Sequence, residues 1–150
     1  DEDLLVKFHS ILSDRTVFMR YLQPIMLQER VMHERLARIC HVDYDREIAL
    51  VAETTDEKGE RNVMGIVRLS RIHATNEARL STLVGDPYQG IGLGGELVRR
   101  GLDVARKERM SRLSAVLTDD NQVMKGIFEK LGFRIEPIDN EKLLAAIIDL

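Results

Sequence analysis

The sequence predicts one α/β (α+β) domain built on a mixed sheet. Three observations carry this expectation. A chain of 150 residues with 44% apolar content is long enough to bury a core of its own. Segments with a period of two alternate with segments of helical period. An apolar strand-like run enters the glycine-rich stretch YQGIGLGG at residues 88–95, and a helical pattern leaves it. Strand, glycine turn, helix and strand make a βαβ unit, for which a right-handed crossover is expected.

Taken in order, Leu4, Leu5, Phe8, Ile11 and Leu12 recur at helical spacing behind an acidic first turn, so residues 4–12 read as an amphipathic helix. Ser13 opens a short second turn. Val31, Met32, Leu36, Ile39 and Cys40 form another helical stripe, beginning after Pro24 and ending before Asp43. Residues 47–53 (EIALVAE) and 62–70 (NVMGIVRLS) are rich in β-branched and apolar residues, and the polar link between them contains Lys58 and Gly59. They read as an antiparallel hairpin. Residues 77–84 form a third strand, with Ala78, Leu80, Thr82 and Val84 on one side and Arg79, Ser81 and Leu83 on the other.

Beyond the glycines, Leu93, Leu97, Val98, Leu102 and Ala105 make a helical stripe reaching about residue 108, with Arg99, Arg100, Arg106 and Lys107 turned outward as a solvated face. Residues 112–118 (RLSAVLT) are a strand, 121–131 a helix stopped by Gly132, and 133–138 a further strand. Residues 143–150 are compatible with helix or strand. The preceding Pro137, Ile138, Asp139 and Asn140 resemble a hairpin connection, so the tail is assigned as strand.

A net charge of −3 and a pI near 5.8, with Lys and Arg scattered along the chain, offer no basic face for nucleic-acid phosphates. No apolar run approaches the roughly 18 residues that cross a bilayer, and the acidic start is unlike a signal peptide. The single Cys40 is expected as an inert core thiol. Together these features suggest a soluble protein in a reducing, cytoplasmic setting. His9, His33, His41 and His73 have no metal-site spacing, and surface or capping roles are expected for them.

The glycine segment can serve a ligand in three ways. Its backbone can be approached closely, its N–H groups are free to point outward, and the following helix adds positive potential at its start. Pyrophosphate suits all three, although glycines also serve turns and close packing. A Walker P-loop would end in Gly-Lys-Ser/Thr, and Gly94, Gly95 and Glu96 stand there instead. A dinucleotide fold would place its glycine turn near the start of a βαβαβ half, whereas this strand follows an apparent hairpin.

The stretch at residues 89–94 (QGIGLG) matches the Q/R-x-x-G-x-G/A motif of the GNAT acetyltransferase superfamily. Asn121 followed by IFEKLGF at residues 127–133 resembles that family's closing N…LYEKLGF segment. The resemblance spans nearly the whole chain and implies the GNAT fold, a mixed, mostly antiparallel twisted sheet flanked by helices. LLVKFHSILSDRTVFMRYL (4–22) and HERLARICHVDYDREIALVAE (33–53) also look like the GNAT domain of Pat-type protein lysine acetyltransferases, which act on acetyl-CoA synthetase and related enzymes. Such domains usually open with a short strand and are often fused to acyl-CoA synthetase-like or nucleotide-binding modules. This chain starts at the helix, so residues 1–150 are expected to be a single GNAT domain cut from a longer protein, with its first strand missing.

The resemblance implies acetyl transfer from acetyl-CoA to an amine, without a metal, the partner being a protein substrate such as an acyl-CoA synthetase. It places pyrophosphate on the N–H groups of Gln89, Gly90, Ile91, Gly92, Leu93, Gly94 and Gly95, and pantetheine along the backbone of Leu83 and Val84. A backbone N–H there would polarise the thioester carbonyl. Asn121 would hold the pantetheine arm; the residue also suits a plain helix cap.

A lysine amine, with a free pKa of about 10.4, must lose a proton before it attacks. Glu77 is the expected base. Many relatives carry the glutamate where this chain has Arg79, so Glu77 lies on the same strand face about 6–7 Å further from the glycines, a gap that a bulge or a water would bridge. Phe128 stands where many relatives have a tyrosine acid, and it would line the thioester site as an apolar wall. Two alternatives stay open: an N-acetyltransferase of small amines or peptide N-termini, and a non-catalytic CoA-sensing domain.

Overall fold

The computed structural model describes residues 2–21, 30, 32, 46–138 and 142–150. Helix α1 spans Glu2–Ser10, with Glu2 and Asp3 in its first turn and Leu5 and Phe8 buried. The sequence reading extended it through Leu12, but the chain turns at Ile11 and Leu12. Where only a short turn was expected, a second helix follows, α2 at Asp14–Tyr21. Its start explains its formation: the Ser13 hydroxyl accepts the Thr16 N–H at 3.2 Å, capping an otherwise orphaned donor. The stripe read at residues 31–40, including Cys40, lies outside the described residues apart from Met32, as do His33 and His41.

Strands β1 (Glu47–Thr55) and β2 (Arg61–Arg71) form the expected hairpin, both longer than read. Asp56 closes its loop, one carboxylate oxygen accepting the N–H groups of Lys58 and Glu60 at 2.9 Å each. Strand β3 (Glu77–Val84) pairs antiparallel with β2 in unbroken register from Arg71↔Ala78 to Gly65↔Val84. No bulge shortens it. A single 3₁₀ turn (Asp86–Tyr88) leads into the glycines and α3 (Leu93–Lys107). Then come β4 (Arg112–Thr118), α4 (Gln122–Lys130), β5 (Arg134–Ile138) and β6 (Leu143–Asp149), so the tail is strand, as read.

The six strands lie in the order β1-β2-β3-β4-β6-β5. Every pair is antiparallel except β3 with β4. The expected mixed, mostly antiparallel α/β sheet with flanking helices is therefore present. Its main core packs Val67, Leu69, Ala78 and Leu80 under Leu97, Val98, Leu102 and Ala105 of α3, and continues to Phe128 and Phe133. A smaller core on the other face joins Phe8, Leu12 and Val17 to Val63 and Leu83. Each of the Val, Leu and Phe side chains among these contributes about 1.5–3 kcal/mol through burial. Two-sided cover accounts for the sequence of β3, which is apolar on both faces toward its C-terminal end. Among the described residues no helix is long and apolar enough to cross a membrane.

Candidate active site

The parallel pairing of β3 with β4 is short. It covers Glu77↔Arg112, Ala78↔Leu113 and Arg79↔Ser114, and then the strands part while β4 stays paired with β6 as far as Thr118. Strand edges that diverge leave N–H and C=O groups without partners across the gap. Hydrogen bonds between Gly85 N–H and Met64 C=O (2.8 Å) and between Ile72 N–H and Glu77 C=O (2.9 Å) set the alternation on β3. Odd-numbered residues bond toward β2, so the backbone groups of Leu80, Thr82 and Val84 face the gap. The expectation for Leu83 changes accordingly. Its side chain belongs to the smaller core and its backbone serves β2, so the edge turned to the gap is that of Thr82 and Val84.

The gap opens into a cleft of about 1010 Å³, at the upper end of what a single small ligand fills. Its lining draws on β3 from Leu80 to Val84, on Ala115, Val116 and Leu117 of β4, on the glycine loop, and on the start and face of α4. Val116 and Val123 are exposed there, apolar walls suited to cover by a ligand.

Gly90 and Gly92 take φ values of 78° and 88°, left-handed backbone that side chains other than glycine adopt at a cost. A Cβ built on either would meet nothing within 4 Å. Their glycines therefore answer to backbone shape, and the space above them stays open. Gly92 caps α3 with no side-chain bond, and the first intrahelical bond runs from Glu96 N–H to Gly92 C=O at 3.1 Å. Among the described residues, the N–H groups from Gly90 to Gly95 find no acceptor. Six unspent donors at the positive end of a 15-residue helix form a ready anion site.

Of the expected cofactor residues, Leu83, Val84, Gln89, Gly90, Gly92, Leu93, Gly94, Gly95, Asn121 and Phe128 all line this one cleft. Ile91 does not; its side chain is 71% exposed and contributes only its place in the N–H row. Asn121 has the cap role read for it. Its Oδ1 caps α4 by accepting Met124 N–H at 3.3 Å, while its two Nδ2 hydrogens have no partner among the described residues. Phe128 is buried, edge-on to Phe133 with ring centroids 4.9 Å apart, and forms an apolar wall.

Glu77 is not brought to the cleft. It opens β3, three residues or about 10 Å before the lining begins at Leu80, and its Oε1 lies 3.8 Å from Arg112 Nε. His9 also departs from expectation, being buried beside Phe8 rather than at the surface. The described residues hold no cluster of His, Cys, Asp or Glu suited to a metal.

The sequence reading missed the wall supplied by α2. Ser13, Arg15, Thr16, Met19 and Arg20 all border the cleft. A serine three residues before a threonine, SDRT at 13–16, was the available signal for a helix start, but nothing local tells which face of the sheet that helix covers. The arginines read as solvated on α3 are partly that. Arg99 and Arg100 both bond Glu96, Arg106 approaches Asp103, and the bonds from Arg99 and then Arg100 hold the Glu96 carboxyl below its ordinary value. Glu96 and Arg99 nonetheless sit at the rim of the cleft.

Comparison with known proteins bears on this arrangement. A family model described as an acetyltransferase (GNAT) domain matches residues 1–134. An acetyltransferase of Pseudomonas aeruginosa is 28% identical over 140 residues, which is 92% of this chain and 73% of that protein. The crystal structure of the GNAT domain of S. lividans PAT aligns over 100% of this chain and 85% of that one, with a TM-score of 0.85 and 26% identity. The PaiA N-acetyltransferase of Thermoplasma acidophilum, solved in complex with coenzyme A, shares the fold at a TM-score of 0.72 and 16% identity, over 100% of this chain and 93% of that one. Motif, cleft and family match agree: this chain belongs to the GNAT family of acetyltransferases.

Proposed function

We propose that the domain transfers acetyl from acetyl-CoA to a lysine of a protein substrate, an acyl-CoA synthetase such as acetyl-CoA synthetase, by direct attack of the amine on the thioester. Acetyl-CoA is the acyl donor. The observation that carries this half is the row of unspent N–H groups from Gly90 to Gly95 beside a gap between two strand edges. Pyrophosphate matches the row, and an extended arm bearing amides matches the edge, as an added strand would. The two free hydrogens of Asn121 give that arm a further anchor.

In the transfer the amine nitrogen bonds the acetyl carbon, the carbon–sulfur bond breaks, and coenzyme A departs as thiolate. A thiol pKa of about 8.5 makes that departure cheap without an acid, so Phe128 at the tyrosine position is compatible with turnover. Backbone N–H groups of Thr82 and Val84 are the donors available to the developing oxyanion. The ammonium proton must leave first. Glu77 shares its strand face with Ser81, which lines the cleft, and we assign it the base, reached through water because its carboxylate stands back from the lining.

The lysine half rests on the sequence resemblance to Pat-type domains and on likeness to the S. lividans PAT domain. Its test is incubation with acetyl-CoA and a panel of acyl-CoA synthetases, read by mass spectrometry for acetyl-lysine. Acetyl-lysine on at least one of them supports the assignment. Coenzyme A release on small amines alone would replace it with a small-amine acetyltransferase. The distance of Glu77 from the cleft favours one further reading, a CoA sensor, whose signature is tight acetyl-CoA binding with no turnover on any amine.

A further inference from the structure

Gln89 belongs to the glycine motif, yet its exposed side chain is spent on hydrogen bonds to the protein itself. Its Nε2 donates to Val84 C=O at 3.0 Å and to Thr16 Oγ1 at 3.1 Å. A carbonyl only accepts, so nitrogen rather than oxygen must face Val84, which settles the orientation of the amide. Both amide hydrogens are then used, and Thr16 must be the acceptor in the second bond. A parallel link lies nearby: Ser13 N–H donates to Asp86 Oδ1 at 2.9 Å, and the Ser13 and Thr16 hydroxyls meet at 3.1 Å. Four polar residues thus join the start of α2, the end of β3 and the entry to the glycine loop.

The joined pieces have different tasks. The glycine loop supplies the N–H row, Val84 ends the strand edge that faces the gap, and α2 supplies Arg15, Met19 and Arg20 to the lining of the same cleft. Helix α2 packs on the smaller core through Val17 and Tyr21. It is eight residues long, Val17 is its one buried residue, and Phe18 stands 46% exposed. A helix this short has little stability of its own and takes its position from tertiary contacts. The two links from the loop are contacts of that kind.

We propose that Thr16 is a positioning residue, which through Gln89 couples occupancy of the glycine loop to the order of α2, so that loading acetyl-CoA firms the wall against which the acceptor is placed. Ligand on the loop damps the motion of residues 89–95, Gln89 is part of that loop, and its bond to Thr16 passes the restraint to α2. This is coupling through a shared loss of local freedom and needs no change of shape.

The inference rests on acetyl-CoA binding at the glycine loop, and amide hydrogen exchange separates the two claims. In the wild-type protein, acetyl-CoA should slow exchange both at residues 89–98 and at residues 14–21. Thr16→Val keeps the size of the side chain but cannot accept from Gln89. It should retain protection at the loop and lose most of the ligand-induced protection at α2, while Thr16→Ser, which restores the hydroxyl, should recover it. Equal protection of α2 in wild type and Thr16→Val would overturn the coupling, and so would failure of Thr16→Ser to recover it. Absence of protection at the loop in wild type would overturn the acetyl-CoA reading and this inference with it.

Discussion

Glu77 and Arg112 face each other across the only parallel pairing in the described sheet, Oε1 to Nε 3.8 Å apart, two residues before β3 and β4 separate. The pair lies where the two strands are still joined, outside the lining of the cleft. Arg112 also donates to Asp149 at 2.8 Å, and Asp149 in turn accepts from Arg134 at 2.8 Å, so the proposed base sits at the edge of a small surface network of charges.

Glu77→Gln is expected to lower kcat/KM by tenfold or more near neutral pH and to leave acetyl-CoA affinity unchanged, because the side chain lies outside the cofactor lining. The loss should shrink as pH rises toward the amine pKa of about 10.4, where the acceptor sheds its proton unaided. A pH–rate profile of wild type and variant checks both parts. An unchanged kcat/KM removes Glu77 as base.

Gly94→Ala separates packing from ligand approach. The new Cβ would lie 3.5 Å from Ile127 Cδ1, an ordinary contact, and Gly94 is not in left-handed backbone. Alanine improves helix propensity by up to about 1 kcal/mol, so the melting temperature should hold or rise. Acetyl-CoA affinity should nevertheless fall, and Gly94→Asp should abolish it by repelling phosphate. Gly92→Asp should likewise abolish it, and here stability drops as well because of the 88° φ. Calorimetric titration beside thermal melts measures each pair.

Asn121 offers a second separation. Asn121→Asp keeps an oxygen to cap α4 and removes the two amide hydrogens, so stability should be retained while acetyl-CoA binds several-fold more weakly. Asn121→Ala should weaken binding and also cost about 1 kcal/mol as the cap is lost. Equal affinities in wild type and Asn121→Asp would leave the residue as a cap alone.

The charge network predicts an acid sensitivity. Hydrogen bonds from Arg112 and then Arg134 hold the Asp149 carboxyl below its ordinary value. A carboxylate whose folded pKa is depressed contributes stability that is present above the unfolded value, about 3.9, and is lost as pH falls through the lower folded value. Melting temperature should therefore decline below about pH 4, and Asp149→Asn should flatten part of that decline. The group is solvent-exposed, so the effect is small and should fade in high salt.

Local pattern alone identified the strands around the glycines, α3, α4 and the cofactor motif, because period, caps and glycine placement are short-range properties. LGF at residues 131–133 is a case in point: Gly132 at φ 96° ends α4, and Phe133 N–H returns to Phe128 C=O at 2.9 Å. Phe128 and Asn121 were assigned to the cofactor side by the resemblance of their segment to the family's closing motif. The wall formed by α2, the two hydrogen bonds of Gln89 and the distance of Glu77 from the cleft were not legible. Each depends on segments about 70 residues apart in the chain, such as Thr16 and Gln89, or on where two strands stop pairing.

What the sequence by itself determined is the mixed α/β sheet and an anion-binding helix start, since both follow from side-chain period and backbone freedom within a few residues, while acetyl-CoA came from the family resemblance of the motifs. Only the tertiary structure decided which strand edge is open and which helix faces it. Register is a property of paired strands, and the parity that turns Thr82 and Val84 rather than Leu83 toward the gap exists only once β2 has taken its place.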